Sequence, residues 1–560
     1  MSRFDHTQYR PFVPPVTLPD RRWPEQRITQ APRWCAVDLR DGNQALVEPM
    51  TVEQKRRLFM LLLEVGFQEI EVGFPAASQP DFAFVRWIIE QGVIPDGVAI
   101  QALTQARKPL IERTFEALHG VPRAIVHLYN STSKVQREQV FVRSRAEVIA
   151  LAVAGAEEVR AQAEKYPDTE WTFQYSPESF SATEPEFAVA ICEAVMAVWQ
   201  PTPKRPMIIN LPATVEMATP NVYADQVEWF CRTIARREAL VISLHTHNDR
   251  GTAIAAAELG LMAGADRIEG TLLGNGERTG NMDILTLAMN LYSQGIDPRL
   301  DLSDMARIVR TVEEVTAIPL HPRHPWAGEL VYTAFSGSHQ DAIRKCLAAR
   351  RPEEPWEVAY LPINPEDIGR SYQEVIRINS QSGKGGVSYL LERDHGLMLP
   401  RWMQIEFAQV VQRWAERGAV EVTSDRIWQL FQEHYIEGAG AYRILRYQID
   451  RNPQAADQLV VELQRDQEVI TLCGSGQGVL EALVKGIEQG LGVRVEITNY
   501  HEQAMQGTTD ADAVAYLQLR CAGHLYSGVA LHRDSVSAML EALLVAFSRI
   551  GGEVELRHAS

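Results

Sequence analysis

Three observations predict an α/β chain built on a (β/α)8 TIM barrel, followed by helical linker subdomains and a C-terminal α+β module. Eight short β-rich runs recur within the first 290 residues. Helical patterns, with apolar residues three and four apart, lie between them. The polar residues that interrupt the pattern fall at the carboxyl ends of the runs, where such barrels carry their active sites.

The strands are expected, in order, at Trp34–Leu39, Glu69–Phe74, Val98–Leu103, Ala124–Tyr129, Trp171–Tyr175, Met207–Leu211, Leu240–Leu244 and Arg267–Thr271. Each is five or six residues long, within the range of barrel strands. Helices are expected at Val52–Val65, Ala146–Lys165, Glu186–Val198, Val222–Arg237 and Ala253–Ala263. A doubly wound sheet is the alternative, but the Gly-rich fingerprint expected after its first strand is missing.

In this frame Asp41 follows strand one, His127 ends strand four, Ser176 and Glu178 follow strand five, and Thr214 follows strand six. His245 and His247 end strand seven, where a side-chain period of two turns both rings to one face. With Asp41 they make a set of two imidazoles and a carboxylate. Three protein ligands leave positions open on a metal for substrate and water, as catalytic sites do. A solvated strand end is the bland alternative for His-x-His, and the joint placement of these groups at one rim argues against it. After strand eight comes the polar loop Gly274-Asn275-Gly276-Glu277-Arg278-Thr279-Gly280-Asn281. Asn281 is either a further weak ligand or the cap of a helix starting near Met282.

Composition narrows the partners. At 560 residues the chain needs more than one core, and 46% apolar content supplies them. A net charge of −17 argues against nucleic acid and anionic membrane, which both call for broad positive surface. The six cysteines, at 35, 192, 231, 346, 473 and 521, form no Cys-x-x-Cys pair, which fits a reducing cytoplasm. No run approaches the length of a membrane span.

Five segments carry a family resemblance: Asp38-Leu39-Arg40-Asp41-Gly42-Asn43-Gln44, Glu71-Val72-Gly73-Phe74-Pro75, His127-Leu128-Tyr129-Asn130-Ser131, His245-Thr246-His247-Asn248-Asp249 and Gly274–Asn281. Together with Asn379–Gly386 beyond the barrel, they resemble the α-isopropylmalate synthases, within the metal-dependent acyl-CoA Claisen-condensing superfamily. The resemblance implies condensation of acetyl-CoA with 3-methyl-2-oxobutanoate, in the first committed step of leucine biosynthesis. It implies a divalent cofactor on Asp41, His245, His247 and Asn281, Mg2+ first with Mn2+ and Zn2+ as alternatives, and K+ as an activator. Arg40 becomes the candidate cation for the developing alkoxide, and Gln44, His127, Ser176 and Thr214 contact the 2-oxoacid. Glu178, His339 and Tyr372 are the candidates for removing the methyl proton and activating water. The last two match positions placed over the other subunit's site in a homodimer.

Beyond residue 329 the barrel pattern stops, and prolines 352, 355, 362 and 365 break the chain into short pieces. Ser382–Gly386 resembles a phosphate loop only superficially, lacking Walker spacing. Arg401–Tyr447 has the spacing of packed helices. From about 455, strands are expected at Leu459–Leu463, Glu468–Leu472, Val493–Thr498 and Ala513–Leu519, with helices at Val479–Glu488 and Ser535–Ser548. The resulting division is an arm (1–30), barrel (31–328), linker (329–386), helical subdomain (387–452) and regulatory module (453–560). The resemblance implies leucine binding and feedback inhibition through that module, at Gly476, Gln477, Leu480 and Tyr500. Gln477 and Val479 stand where the family has Asn and Pro, which predicts altered sensitivity. The alternatives are a citramalate or homocitrate synthase, a non-catalytic amino-acid-binding regulator, and, for the module, a dimerisation element that binds nothing.

Overall fold

The computed structural model describes residues 6–334, 336–370, 384–418, 422–437, 442–451, 456–465, 467–505 and 512–558. The chain divides into two compact units, Met1–Val331 with Glu366–Arg370, and Tyr332–Pro365 with Ser371–Ser560.

The first unit is a closed barrel of eight strands in sequential order. These are β1 (Arg33–Ala36), β2 (Glu69–Gly73), β3 (Ala99–Gln105), β4 (Arg123–Ser131), β5 (Glu170–Glu178), β6 (Met207–Ala213), β7 (Leu240–Thr246) and β8 (Arg267–Gly270). Every neighbouring pair is parallel, including the closure of β8 on β1. The outer helices are α1 (Val52–Val65), α2 (Gln79–Glu90), α3 (Lys108–Leu118), α4 (Arg145–Ala163), α5 (Pro185–Trp199), α6 (Pro220–Thr233), α7 (Ala253–Met262) and α8 (Ile284–Tyr292), with α9 (Met305–Thr316) packed on α1. Their starts are written locally. Thr51 and Gln54 form a reciprocal capping box on α1, as do Ser144 and Glu147 on α4, and proline opens α2, α3, α5 and α6, where its missing N–H costs nothing.

β1 is shorter than expected. Residues Asp38–Gly42 leave the strand in a π-helical turn, which lets the buried Asp38 carboxylate accept the Leu272 N–H at 3.0 Å and draws Arg40 and Asp41 inward. Burial pushes the Asp38 carboxyl up to about 7, against the pull of that backbone donor.

The barrel interior is polar. Side chains of a TIM core are usually branched and apolar, yet Glu71, Gln101, Gln174, Ser243 and Arg267 here are 0% exposed and Glu269 1%. They form a column of alternating charge. From the amino-terminal end, Arg33 pairs with Glu69, and Glu69 with Arg267 at 2.5 Å. Arg267 then meets Glu269 at 2.7 Å and also donates to Gln101 and Ser243.

The second unit begins with helices α10 (Gly337–Ala349), α11 (Lys384–His395), α12 (Arg401–Gly418) and α13 (Ser424–Phe431). Two similar β-β-β-α segments follow. The first is β9 (Arg443–Asp450), β10 (Asp457–Arg465), β11 (Glu468–Gly476) and α14 (Val479–Leu491); the second is β12 (Glu496–Ala504), β13 (Ala513–Cys521), β14 (His524–His532) and α15 (Ser535–His558). Each contributes an antiparallel three-stranded sheet, and Leu459, Val461, Leu483, Leu517 and Leu543 share one core. Both segments seat the helix through a glycine. A Cβ on Gly474 would lie 1.9 Å from the Ala482 carbonyl, and one on Gly528 2.3 Å from that of Ala542.

Two expectations are corrected here. The helical reading to Tyr447 fails because Arg443–Asp450 pairs along β10, so this strand belongs to the sheet rather than to the helices before it. The sixth strand, β14, was not expected at all; it pairs along the whole of β13.

The charge column makes a stability prediction. Arg267→Met removes the cation between two buried carboxylates, which costs about 3–5 kcal/mol when one member of a buried pair is lost. A thermal melt with the wild-type midpoint would contradict the column's role.

Candidate metal centre and active site

The carboxyl ends of the strands surround a cavity of about 160 Å³. Nine residues expected at the site line it together: Arg40, Asp41, Gln44, His127, Ser176, Glu178, Thr214, His245 and His247. Leu103, Tyr129, Asn210, Pro212, Glu277 and Arg278 complete the lining.

Asp41, His245 and His247 are buried and offer one ligand atom each within 4.8 Å of one another. Asp41 Oδ2 lies 3.3 Å from His245 Nε2 and 3.8 Å from His247 Nε2, and the two Nε2 atoms are 3.3 Å apart. The His245 ring is oriented from behind, its Nδ1 donating to Glu269 Oε2 at 3.0 Å. Glu269 is held in turn by Arg267, Gln174 and Asn210.

This donor set fits a divalent cation. Asp41 Oδ2 is a buried acceptor with no hydrogen bond, as an oxygen reserved for a metal should be. Burial works against a charge on His245, but the Asp41 and Glu269 carboxylates outweigh it and raise its pKa to about 9. The same burial, together with His245, pulls His247 down to about 4. Burial opposes ionisation of Asp41 too, and Arg40 with the imidazoles overcomes it, holding the carboxyl well below the usual range. Asp41 and Glu269 thus face the two nitrogens of the His245 ring from opposite sides. Asn281 pairs by its backbone with His247, donates from Nδ2 to the Asn275 carbonyl and keeps a buried, unpartnered Oδ1. It does not cap the following helix; Asp283 does, accepting the Thr286 N–H.

Arg40 is clamped by two carboxylates, Nε to Glu71 at 2.5 Å and Nη1 to Asp41 at 2.8 Å. Glu71 also accepts from His127 Nδ1 at 2.7 Å, and His127 Nε2 meets Ser176 Oγ at 2.7 Å. Glu178 accepts from the Ser131 hydroxyl. Of the other buried carboxylates, Glu269 contacts His245 and Glu71 contacts Arg40. Thr214 Oγ1 accepts the Ser179 N–H at 2.9 Å, and its carbonyl accepts from Arg278, which pairs with Asp249 at 2.6 Å. Gln44 bonds Glu277 across the rim.

Other expected residues lie elsewhere. His339 sits on α10 of the second unit, exposed and stacked on Tyr360 with centroids 3.9 Å apart. Tyr372 and the Ser382–Gly383 start of the loop are outside the described residues. In the module, Gly476 packs on the first turn of α14, against Glu481 and Ala482, Gln477 N–H donates to Glu481, and Leu480 packs on the core. Tyr500 is half exposed and donates to Glu502 at 2.5 Å.

Comparisons with known proteins agree over the whole chain. Residues 31–312 match the HMGL-like family, 329–392 the alpha-isopropylmalate synthase post-catalytic domain-like family and 421–551 the LeuA allosteric (dimerisation) domain. The 2-isopropylmalate synthase of Pseudomonas entomophila is 55% identical over 544 residues, covering 97% of both chains. That of Rhodospirillum rubrum is 54% identical, covering 97% of this chain and 98% of its own, and that of Alcanivorax borkumensis is 54% identical, covering 98% of both. With a closed barrel ahead of it and a LeuA module behind, the chain belongs to the 2-isopropylmalate synthase family.

Proposed function

We propose that the chain condenses acetyl-CoA with 3-methyl-2-oxobutanoate to give 2-isopropylmalate and CoA, as a leucine-inhibited homodimer of the cytoplasm. The observation that carries this is one cavity in which the Asp41–His245–His247 trio and the guanidinium of Arg40 share a carboxylate. A branched 2-oxoacid is favoured over the substrates of citramalate and homocitrate synthases by the near full-length similarity to 2-isopropylmalate synthases. The six cysteines are all free, and no described helix is long and apolar enough to cross a membrane.

Asp41, His245 and His247 would hold the divalent cation, with Asn281 Oδ1 as a further oxygen. Mg2+ is proposed first, with Mn2+ and Zn2+ as alternatives compatible with mixed imidazole and carboxylate ligands, and K+ as an activator. When bound, the cation supplies Lewis acidity toward the keto oxygen of the 2-oxoacid. Arg40, fixed through Nε and Nη1, keeps Nη2 for the oxygen that gains charge as the new carbon–carbon bond forms. The hydroxyl of Thr214 has its proton free to donate to the substrate carboxylate, because the oxygen already accepts from Ser179. The His127–Ser176 pair orients the opposite edge, and Leu103 and Pro212 face the branched side chain.

The methyl group of acetyl-CoA must lose a proton before it attacks, and the resulting thioester must be hydrolysed. Glu178 is the base candidate in the barrel, with Ser131 fixing its carboxylate. His339 and Tyr372 are proposed to complete the partner subunit's site, where they would activate the hydrolytic water. The C-terminal module, which carries none of these groups, is the proposed leucine sensor. The arm, barrel, linker, helical and regulatory divisions keep the limits given above, except that β9 joins the regulatory sheet.

Two outcomes test this reading. His247→Ala should nearly abolish thiol release from acetyl-CoA and weaken metal binding in calorimetry, while the melting curve stays close to wild type. Full activity of exhaustively chelated wild-type enzyme would end the metal-centred account. Mixing inactive His339→Ala chains with inactive Asp41→Ala chains should restore part of the activity, because one site of each mixed dimer then carries neither lesion. Complete exchange without recovery would assign His339 to its own barrel.

A further inference from the structure

Within the second unit, a polar network links the C-terminal sheet β12–β14 to a helix before it. At its centre is Glu406 on α12. One carboxylate oxygen accepts from Ser527 Oγ on β14 at 2.6 Å and from Gln518 Nε2 on β13 at 3.1 Å, and both donors are buried. The amide of Gln518 faces both ways. Its Oε1 accepts from Asn499 Nδ2 at 2.9 Å and Thr498 Oγ1 at 3.1 Å. These two residues stand where the β12–β13 register slips, between Ile497 and Asn499, and Tyr500 is the next residue along β12. Arg549 closes the cluster, donating to the Ser527 carbonyl at 2.9 Å and lying over the ring of Tyr435.

Such a network is a poor way merely to glue a sheet to a helix. Apolar side chains of similar volume seat such contacts as well or better, and a polar cluster is stable only while every member is satisfied. The value of this one is its two-sidedness. The amide's carbonyl is anchored by β12 and its NH2 by Glu406. If β12 shifts at the bulge and withdraws Asn499 or Thr498, the amide loses what fixes its orientation, and Glu406 loses a donor. From α12 the packing runs to α11 and from α11 to α10, which carries His339.

We propose that Glu406 and Gln518 are the coupling residues of leucine regulation, passing the state of β12 to the helices that bear His339. This rests on the regulatory and catalytic readings proposed above. It adds a route made of named side chains, with the Gln518 amide held from β12 on one side and from α12 and β14 on the other.

The test uses the full-length enzyme with Glu406→Gln and Gln518→Met, neither of which touches a proposed catalytic or leucine-binding side chain. Leucine binding is measured by calorimetry, and inhibition by thiol release with and without saturating leucine. Wild type should bind leucine and lose activity, with a coupling in the ordinary range of about 5–150-fold. Each variant should keep its uninhibited turnover and still bind leucine, while saturating leucine changes its activity by less than about twofold, below that range. Wild-type inhibition in either folded variant overturns the relay. So does loss of leucine binding in both, which would make the cluster part of the binding site. A wild-type enzyme that binds no leucine is a different failure, of the regulatory reading itself.

Discussion

The structure depends on a series of buried charges that must alternate. From the floor of the barrel to its rim, an exposed Arg33 leads to the buried Glu69, Arg267 and Glu269, then to the His245 ring, Asp41, Arg40 and Glu71. In a water-free interior no member can be left without its neighbour. The positive positions are filled by arginines, Arg40 beside Asp41 and Arg267 beside Glu269, and the His245 imidazole stands between those two carboxylates. Beside it, Asp41, His245 and His247 form the set that could hold a divalent cation. The charge pattern of the barrel core is therefore continuous with the candidate metal centre through Glu269 and His245, and a lesion at the bottom of the column should be felt at the top.

The rim has a second layer of constraint. Arg278 ties the loop after β8 to Asp249 after β7 and to the carbonyl of Thr214 after β6. Asp249 accepts the Glu216 N–H, and Glu216 accepts the N–H of Arg250. Gln44 and Glu277 join the first loop to the last. A side chain proposed to meet the substrate, such as Thr214, is thus held by neighbours that themselves have few rotamers to choose from. Fixed donors need no reorganisation as charge develops, which is where most electrostatic catalysis comes from.

The eight barrel strands were legible because each is a short β-rich run, and the rim residues because they interrupt those runs at one end. The charge column was not. Glu69-Ile70-Glu71-Val72 and Arg267-Ile268-Glu269-Gly270 alternate polar and apolar residues, a pattern that in an open sheet marks a solvent face. In a closed barrel the polar side turns inward and the apolar side packs on helices, so only closure reveals Glu71 and Glu269 as supports of Arg40 and His245. Asn281 was ambiguous between ligand and cap because Asp283, two residues on, is an equally good cap and takes that role. Arg443–Tyr447 was read as helix because the aromatic and aliphatic spacing before it carries on into Tyr447, and only the ladder with β10 separates the two. Residues acting from another chain, as proposed for His339 and Tyr372, leave no periodic trace in a sequence; only resemblance suggested them.

Glu269, which does not line the cavity, would set the metal centre by orienting His245. Calorimetric titration of the full-length Glu269→Gln variant with Mn2+ tests it directly. Replacing a partner that orients a metal-binding histidine typically lowers affinity by about 10–100-fold, and the account predicts a loss of that size in a chain that still folds. Wild-type Mn2+ affinity in the folded variant would show that the charge column and the metal centre are independent, contradicting the account.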